Sequence, residues 1–165
     1  MVVGKTGTGK TTLLNSLINY HMKIRLEDSF RYVLINEQTG KAEDQSQTDS
    51  VTEYEIGPYE GRPPVIVIDT PGFGDTRGLA KDEEIFKTIK AHFDSSADDS
   101  INAVCFVVRA SDPRLDASQK YIFSKVQELF GKDIAENFVF MLTSCDRGSP
   151  LVLKALESDT CLLYT

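Results

Sequence analysis

The stretch GKTGTGKT, residues 4–11, decides the fold class of this chain. It matches the pattern G-x-x-x-x-G-K-[ST], in which glycines permit positive φ angles and bring backbone N–H groups close to phosphate oxygens. Val2 and Val3 before it are typical of the end of a buried strand, and residues 11–20 after it carry leucine and isoleucine at helical spacing. A strand, a glycine-rich loop and a helix in this order predict a phosphate-binding loop.

The loop and the first helical turn supply the predicted contacts to a nucleotide. The N-terminus of the helix adds its partial positive charge to the N–H groups of the loop. Lys10 is expected to reach the β- and γ-phosphates, and the Thr11 hydroxyl to ligate Mg²⁺. A plain glycine-rich turn ahead of a helix is the alternative. The predicted nucleotide contacts here are Gly4, Lys5, Thr6, Gly7, Thr8, Gly9, Lys10, Thr11 and Thr12.

The rest of the chain alternates between apolar strands and amphipathic helices. Buried strands are predicted at residues 65–68, 101–108 and 137–143, and helices at residues 81–93, 116–131 and 151–156. Asp116 and Gln119 have the spacing of a capping box at the start of the second of these helices. This alternation predicts an α/β fold with a mostly parallel central sheet and helices on both faces. Together with the motif at residues 4–11, it predicts a P-loop NTPase three-layer αβα sandwich.

Residues 21–50 are more weakly patterned. The segment FRYVLI, residues 30–35, suggests a further strand, and the polar residues 36–50 read as a loop. A loop of this length within a compact domain is either functional or a solvated surface insertion.

Composition excludes several classes of function. Apolar residues make up 41% and charged residues 26% of the 165 residues, as in ordinary globular domains, and the net charge is −7. An acidic protein is repelled by nucleic acid and by anionic membranes, and no apolar run approaches the roughly 20 residues that span a bilayer. The three cysteines, Cys105, Cys145 and Cys161, show no C-x-x-C spacing. We therefore expect a cytoplasmic protein without a transmembrane segment or a nucleic-acid partner.

Asp69 is a second candidate for the phosphate site. It directly follows the predicted strand at residues 65–68, where a P-loop protein carries its Mg²⁺-side carboxylate. It opens the sequence Asp69-Thr70-Pro71-Gly72, in which the Gly72 amide is placed to sense a γ-phosphate. An aspartate that only caps a turn is the alternative.

Together these motifs resemble a known family. GKTGTGKTTLLNSL (residues 4–17) with VIVIDTPGFGDTRG (residues 65–78) is similar to the GTP-binding domain of septins and of the immunity-associated (GIMAP-like) GTPases. DTPGFGD favours septins, whereas SVTEYEI and VVRASDPRLDASQ favour the immunity-associated group. The resemblance implies GTP, GDP and Mg²⁺ as ligands. It also implies a GTP-binding domain at residues 1–157, expected to lack part of its first strand and its last strand and helix, followed by a poorly patterned tail at 158–165.

The resemblance also implies two switch regions. The first, residues 21–50, leads to a threonine that closes over Mg²⁺ and the γ-phosphate, for which Thr52 is the first candidate and Thr48 the second. The second begins at Asp69 and ends near Leu79. Lys10, Thr52 and Gly72 form the predicted catalytic set, and Thr11, Thr52 and Asp69 the predicted metal ligands.

The guanine-reading element of the family is [N/T]-K-x-D after a buried strand. This chain carries Thr143-Ser144-Cys145-Asp146 there. The resemblance implies that Thr143 and Asp146 contact the nucleotide, with the Asp146 carboxylate accepting from the guanine N1–H and exocyclic amine. Ser144 replaces the lysine that packs along the base plane. An aspartate that only turns the chain before Gly148 is the alternative.

Catalysis is expected to be slow. Phe73 stands where a Ras-like GTPase has the glutamine that orients the attacking water. Acceleration would come from a partner subunit or from an arginine in trans, and Arg77 is a candidate partner contact. The leading hypothesis is a GTPase switch whose nucleotide state is coupled to self-association, as a homo- or hetero-oligomer through the nucleotide face. A non-hydrolysing interaction module and a P-loop ATPase or kinase are the alternatives.

Overall fold

The central feature of the fold is a five-stranded sheet with the order β2-β3-β1-β4-β5. The computed structural model describes residues 1–36, 50–74, 78–95, 100–146 and 148–158. Its elements, in chain order, are β1 (Val2–Gly4), α1 (Lys10–His21), β2 (Thr52–Ile56), β3 (Val65–Asp69), α2 (Leu79–Ser95), β4 (Val104–Arg109), α3 (Ala117–Phe130), a short 3₁₀ helix (Lys132–Asn137), β5 (Phe138–Thr143) and α4 (Val152–Ser158).

The sheet is parallel except at one edge. β1 pairs in parallel with both β3 and β4, β4 pairs in parallel with β5, and β2 runs antiparallel to β3. The chain leaves the central strand β1 through the glycine-rich loop. It then forms β2 and β3 on one side of β1, and afterwards β4 and β5 on the other side. Ligands of open α/β sheets bind at such a reversal, outside the carboxyl ends of the strands. This topology puts the loop where a ligand is expected.

Helices cover both faces of the sheet. Val3, Phe106 and Val108 point into a core that α2 and α3 close with residues such as Ile89 and Ile122. The alternate positions Val2 and Val107 point into a second core, which contains Leu14 and Ile18 of α1. Successive strand residues thus face opposite layers, as the pleat requires. The predicted three-layer αβα sandwich is confirmed.

Most predicted elements are confirmed, and their ends differ by a few residues. β4 begins at Val104 rather than at residue 101. The capping box of α3 is present, since the Asp116 side chain accepts from the Gln119 N–H and the Gln119 side chain accepts from the Asp116 N–H. The prediction of buried strands is wrong at two positions, because Ile66 is 58% exposed and Val139, on the edge strand β5, is 44% exposed.

The strand suggested at residues 30–35 is wrong. Asparagine side chains of α1 make the contacts there that a neighbouring strand would make. Asn15 Oδ1 accepts from the N–H groups of Leu34 and Ile35 at 2.7 and 2.9 Å. Asn19 Oδ1 accepts from the Tyr32 N–H at 2.8 Å, and its Nδ2 donates to the Tyr32 carbonyl at 2.7 Å. The segment therefore runs along α1 rather than along the sheet.

Candidate functional site

The glycine-rich loop connects β1 to α1 and is held tightly against the sheet. Gly4 has a φ of 155°, and a Cβ added to it would lie 2.7 Å from the Val107 carbonyl oxygen. Any other residue there would push the loop off β4. At the far end Gly9 precedes α1 in a left-handed conformation, and its helix start has no side-chain cap. The start of a helix without a side-chain cap is a place at which an anion can bind.

Lys10 lies inside this loop. It is 8% exposed, and its Nζ donates to the carbonyl oxygens of Gly4 and Lys5, both at 3.1 Å. The loop thus wraps around a buried ammonium group at the N-terminus of a helix. The combination of a helix N-terminus and a buried cation fits a phosphate group. Thr11 is partly buried in the first turn of α1, and Thr12 is exposed.

Side chains from distant parts of the chain hold the loop in shape. The Thr8 hydroxyl donates to the Lys5 carbonyl at 2.8 Å, and the Thr143 hydroxyl donates to the Thr8 carbonyl at 2.5 Å. Lys5 forms a 2.6 Å ion pair with Asp116, the residue that caps α3. The Thr143 hydroxyl therefore positions the loop.

Asp69 and Thr52 are neighbours at the carboxyl end of the sheet. Asp69 is the last residue of β3, is 1% exposed, and lies in register with both Val2 and Thr52. Burial, and then the negative charge of Asp69, raise the pKa of nearby Tyr54. Because Mg²⁺ in nucleotide sites takes one or two carboxylates together with phosphate oxygens, this donor set fits that ion. The Thr52 hydroxyl lies 3.5 Å from the Ser50 carbonyl.

Gly72 packs directly on the loop. A Cβ added to Gly72 would lie 2.5 Å from the Thr6 hydroxyl oxygen and 2.8 Å from its Cα, so this close approach requires glycine. The Thr6 N–H donates to the Phe73 carbonyl at 2.8 Å, and the Phe73 N–H donates to the Gly4 carbonyl at 3.2 Å. The second motif is thereby joined to the first by backbone hydrogen bonds.

Phe73 belongs to the core. Its side chain is fully buried, and its ring centroid lies 4.6 Å from that of Phe86 on α2. The next residue is also fixed, because the Gly74 N–H donates to the buried Asp82 carboxylate at 2.8 Å. The side chain that follows Gly72 thus points away from the loop.

Asp146 lies in the loop after β5. It is exposed, and its Oδ1 accepts from the Gly148 N–H at 2.8 Å, so one of its oxygens also shapes the turn. Ser144 has a φ of 53°. Thr48 and Arg77 lie outside the described residues.

One residue at this end of the sheet was missed by the sequence analysis. Arg109, the last residue of β4, donates from Nη2 and Nε to the Gly7 carbonyl at 2.6 and 3.1 Å. The sequence carried a signal for this residue, because the carboxyl ends of parallel strands meet at one edge and Arg109 directly follows the predicted buried strand at residues 101–108.

No described helix is long and apolar enough to cross a membrane.

Comparisons with known proteins identify the family of this chain. The model of the AIG1 family matches residues 1–155, and the chain belongs to the AIG1 family. Cell division control protein 3 of Candida albicans is 31% identical over 138 residues, a match that covers 82% of this chain and 31% of that protein. The chain thus spans about a third of that relative's length. The predicted resemblance to septin-like and immunity-associated GTPase domains is confirmed.

Solved structures of Toc33 from Arabidopsis thaliana share the fold. A dimerization-deficient mutant of Toc33 superposes with a TM-score of 0.62 at 21% identity, covering 99% of this chain and 59% of that chain. The complex with GDP and Mg²⁺ gives a TM-score of 0.61 at 21% identity, covering 95% and 57%. The complex with Mg²⁺ and GMPPNP gives 0.60 at 22% identity, covering 92% and 52%. These structures also confirm the predicted P-loop NTPase fold, a three-layer αβα sandwich.

Proposed function

We propose that this domain binds GTP and GDP with Mg²⁺ and hydrolyses GTP slowly to GDP and phosphate. The observation that carries the proposal is the glycine-rich loop wrapped around the buried ammonium of Lys10, with the buried carboxylate of Asp69 at the same end of the sheet. A cation and a metal-side carboxylate at the carboxyl end of one sheet are what a nucleoside triphosphate with its Mg²⁺ requires. Toc33 was solved in complex with GDP and Mg²⁺ and with GMPPNP and Mg²⁺, which supports the same choice.

The predicted catalytic residues and metal ligands have the following roles in this proposal. Lys10 neutralises the β- and γ-phosphates, while Thr11, Thr52 and Asp69 hold Mg²⁺. The Gly72 amide contacts the γ-phosphate, which its packing against Thr6 supports. The magnesium ion supplies charge neutralisation to the phosphate oxygens when bound.

The guanine base is assigned to the loop after β5. The Asp146 carboxylate accepts two hydrogen bonds from the guanine N1–H and exocyclic amine. Adenine lacks that pair of donors, so GTP is preferred to ATP. Thr143 contributes by holding the Thr8 carbonyl, which keeps the phosphate loop and the base loop in a fixed relation.

Slow hydrolysis follows from Phe73. A buried phenyl ring packed on Phe86 has no group with which to orient water. We propose that a partner subunit supplies what is missing, and that nucleotide state is coupled to homo- or hetero-oligomerisation through the nucleotide face. A solved structure that shares this fold supports this proposal. Dimerization is important for the GTPase activity of the chloroplast translocon components atToc33 and psToc159.

The test is a comparison of GTP and ATP binding with and without Mg²⁺. The parent should bind GTP more tightly than ATP, and Mg²⁺ should strengthen GTP binding. Lys10→Ala should weaken both nucleotides by about tenfold or more, and Asp146→Ala should reduce the preference for GTP by about tenfold. Lys90→Ala, at an exposed position of α2, is the matched control and should bind as the parent does. Equal affinities of the parent for GTP and ATP would exclude guanine recognition.

A non-hydrolysing interaction module is the second candidate, favoured by the burial of Phe73. Single-turnover measurements on the nucleotide-bound protein separate the two. Slow release of phosphate that stops with Lys10→Ala supports the GTPase. Stable GTP over the same period supports the module.

A further inference from the structure

The guanine-reading element lacks its lysine, and a neighbouring strand supplies a cation nearby. Ser144 stands at the lysine position, one residue beyond the end of β5. Arg109 ends β4 and lies in register with Thr143, the last residue of β5. The two strand ends therefore place Arg109 next to the start of the base loop.

Arg109 and Thr143 hold two consecutive carbonyls of the phosphate loop. Both Nε and Nη2 of Arg109 donate to the Gly7 carbonyl, at 3.1 and 2.6 Å, while the Thr143 hydroxyl donates to the Thr8 carbonyl at 2.5 Å. Because these hydrogen bonds point the two carbonyls toward β4 and β5, they fix the orientation of the peptide groups that contain them. The contact also restricts Gly7, since a Cβ there would lie 3.2 Å from Nη2 of Arg109.

The positively charged side chains of Arg109 and Lys5 contact different kinds of group. Lys5 lies 2.6 Å from the Asp116 carboxylate, which neutralises it. Both hydrogen bonds of Arg109 described above go to an uncharged carbonyl, which leaves the guanidinium charge effective toward a ligand. A guanidinium has five N–H donors and a planar face that stacks on bases. Arg109 is also exposed, so a ligand in the crevice can approach it.

We propose that Arg109 replaces the missing lysine of the guanine-reading element. It positions the phosphate loop through the Gly7 carbonyl and offers its planar cation to the bound guanine nucleotide, in compensation for Ser144. This inference rests on the proposed function, because it concerns the same nucleotide site. It makes Arg109 a determinant of nucleotide affinity that lies outside the phosphate loop and outside the residues 143–146.

The experiment is a rescue. Calorimetric titration of GDP and GTP is made on the parent, Arg109→Ala, Arg109→Lys and the double variant Arg109→Ala/Ser144→Lys. We expect Arg109→Ala to weaken both nucleotides about tenfold, and the double variant to return within about threefold of the parent. Arg109→Lys should lie between, because it keeps the charge and loses the planar fork.

The matched control is Arg62→Ala. Arg62 is also a surface arginine that donates to a backbone carbonyl, that of Tyr20, but it precedes β3 and so lies at the opposite end of the sheet. It should leave nucleotide affinity unchanged. Melting of each nucleotide-free variant shows whether folding is intact, and Arg109→Ala should melt as the parent does.

The failures of the two proposals are distinguishable. A parent that binds guanine nucleotide with Arg109→Ala unchanged overturns this inference alone. Weakened binding that Ser144→Lys does not restore overturns the replacement of the lysine. A parent that binds no guanine nucleotide overturns the proposed function and this inference with it.

Discussion

Replacing Phe73 by glutamine tests whether the side chain at this position packs in the core or takes part in GTP hydrolysis. Glutamine is the residue with which a Ras-like GTPase orients water there. In this chain the side chain is fully buried, and its ring lies 4.6 Å from the ring of Phe86. We expect the substitution to destabilise the fold and to leave hydrolysis no faster than in the parent.

The magnitude follows from the burial. Truncating a buried phenylalanine to alanine costs about 3–5 kcal/mol. Glutamine fills part of that volume, but its amide, if unpaired in the core, costs about 1–3 kcal/mol. The expected loss is therefore about 3–5 kcal/mol of the free energy of unfolding, a large share of the roughly 5–15 kcal/mol of a typical domain. For a chain of 165 residues this lowers Tm by roughly 6–20 °C.

The assay is urea and thermal unfolding of the nucleotide-free protein, followed by single-turnover hydrolysis of GTP. Phe30→Gln is the matched control, because Phe30 is 52% exposed and its replacement should change stability by less than about 1 kcal/mol. If Phe73→Gln were as stable as Phe30→Gln and hydrolysed GTP faster than the parent, the side chain would have to leave the core and reach the nucleotide. That result would refute the assignment of Phe73 to the core.

Two further predictions concern the contacts around the loop. Gly72→Ala puts a methyl group 2.5 Å from the Thr6 hydroxyl oxygen and should lower stability by about 1–3 kcal/mol, whereas Gly57→Ala, with no atom within 4 Å of the added Cβ, should not. Equal melting temperatures for the two variants would contradict the close approach. Asp116→Ala removes a helix cap and the ion pair with Lys5 and should cost about 1 kcal/mol near neutral pH, most of it from the cap, because solvent screens the ion pair. Burial acts to raise the pKa of Asp116, but hydrogen bonds, first from Lys5, outweigh it and hold the pKa below the ordinary value of 3.8. The contribution is therefore present above about pH 4 and is lost as pH falls through the lower pKa of the folded state. Parent and variant should converge in acid unfolding titrations, and a gap independent of pH would count against this role of Asp116.

Local patterns were sufficient for most of the helices and strands and for the strand, loop and helix around residues 4–11. A helix with its capping box at Asp116, an apolar strand ending at Asp69 and the glycine spacing of residues 4–9 all lie within a few consecutive residues. Backbone conformation at that range is governed by neighbours in sequence, so periodicity and glycine positions predicted it. The same reasoning predicted a strand at residues 30–35, which was wrong, because the hydrogen-bond partners of this segment, Asn15 and Asn19, lie on α1.

The sequence by itself determined the class of the domain, an αβα sandwich of the AIG1 family, and it predicted a phosphate loop at residues 4–11 and a metal ligand at Asp69. The tertiary structure alone decided which distant side chains contact the glycine-rich loop. Arg109 reaches Gly7 across 102 residues, and Lys5 reaches Asp116 across 111. No local pattern encodes such pairs. They exist because β1, β4 and β5 lie side by side in the sheet, which brings the ends of distant segments to one edge.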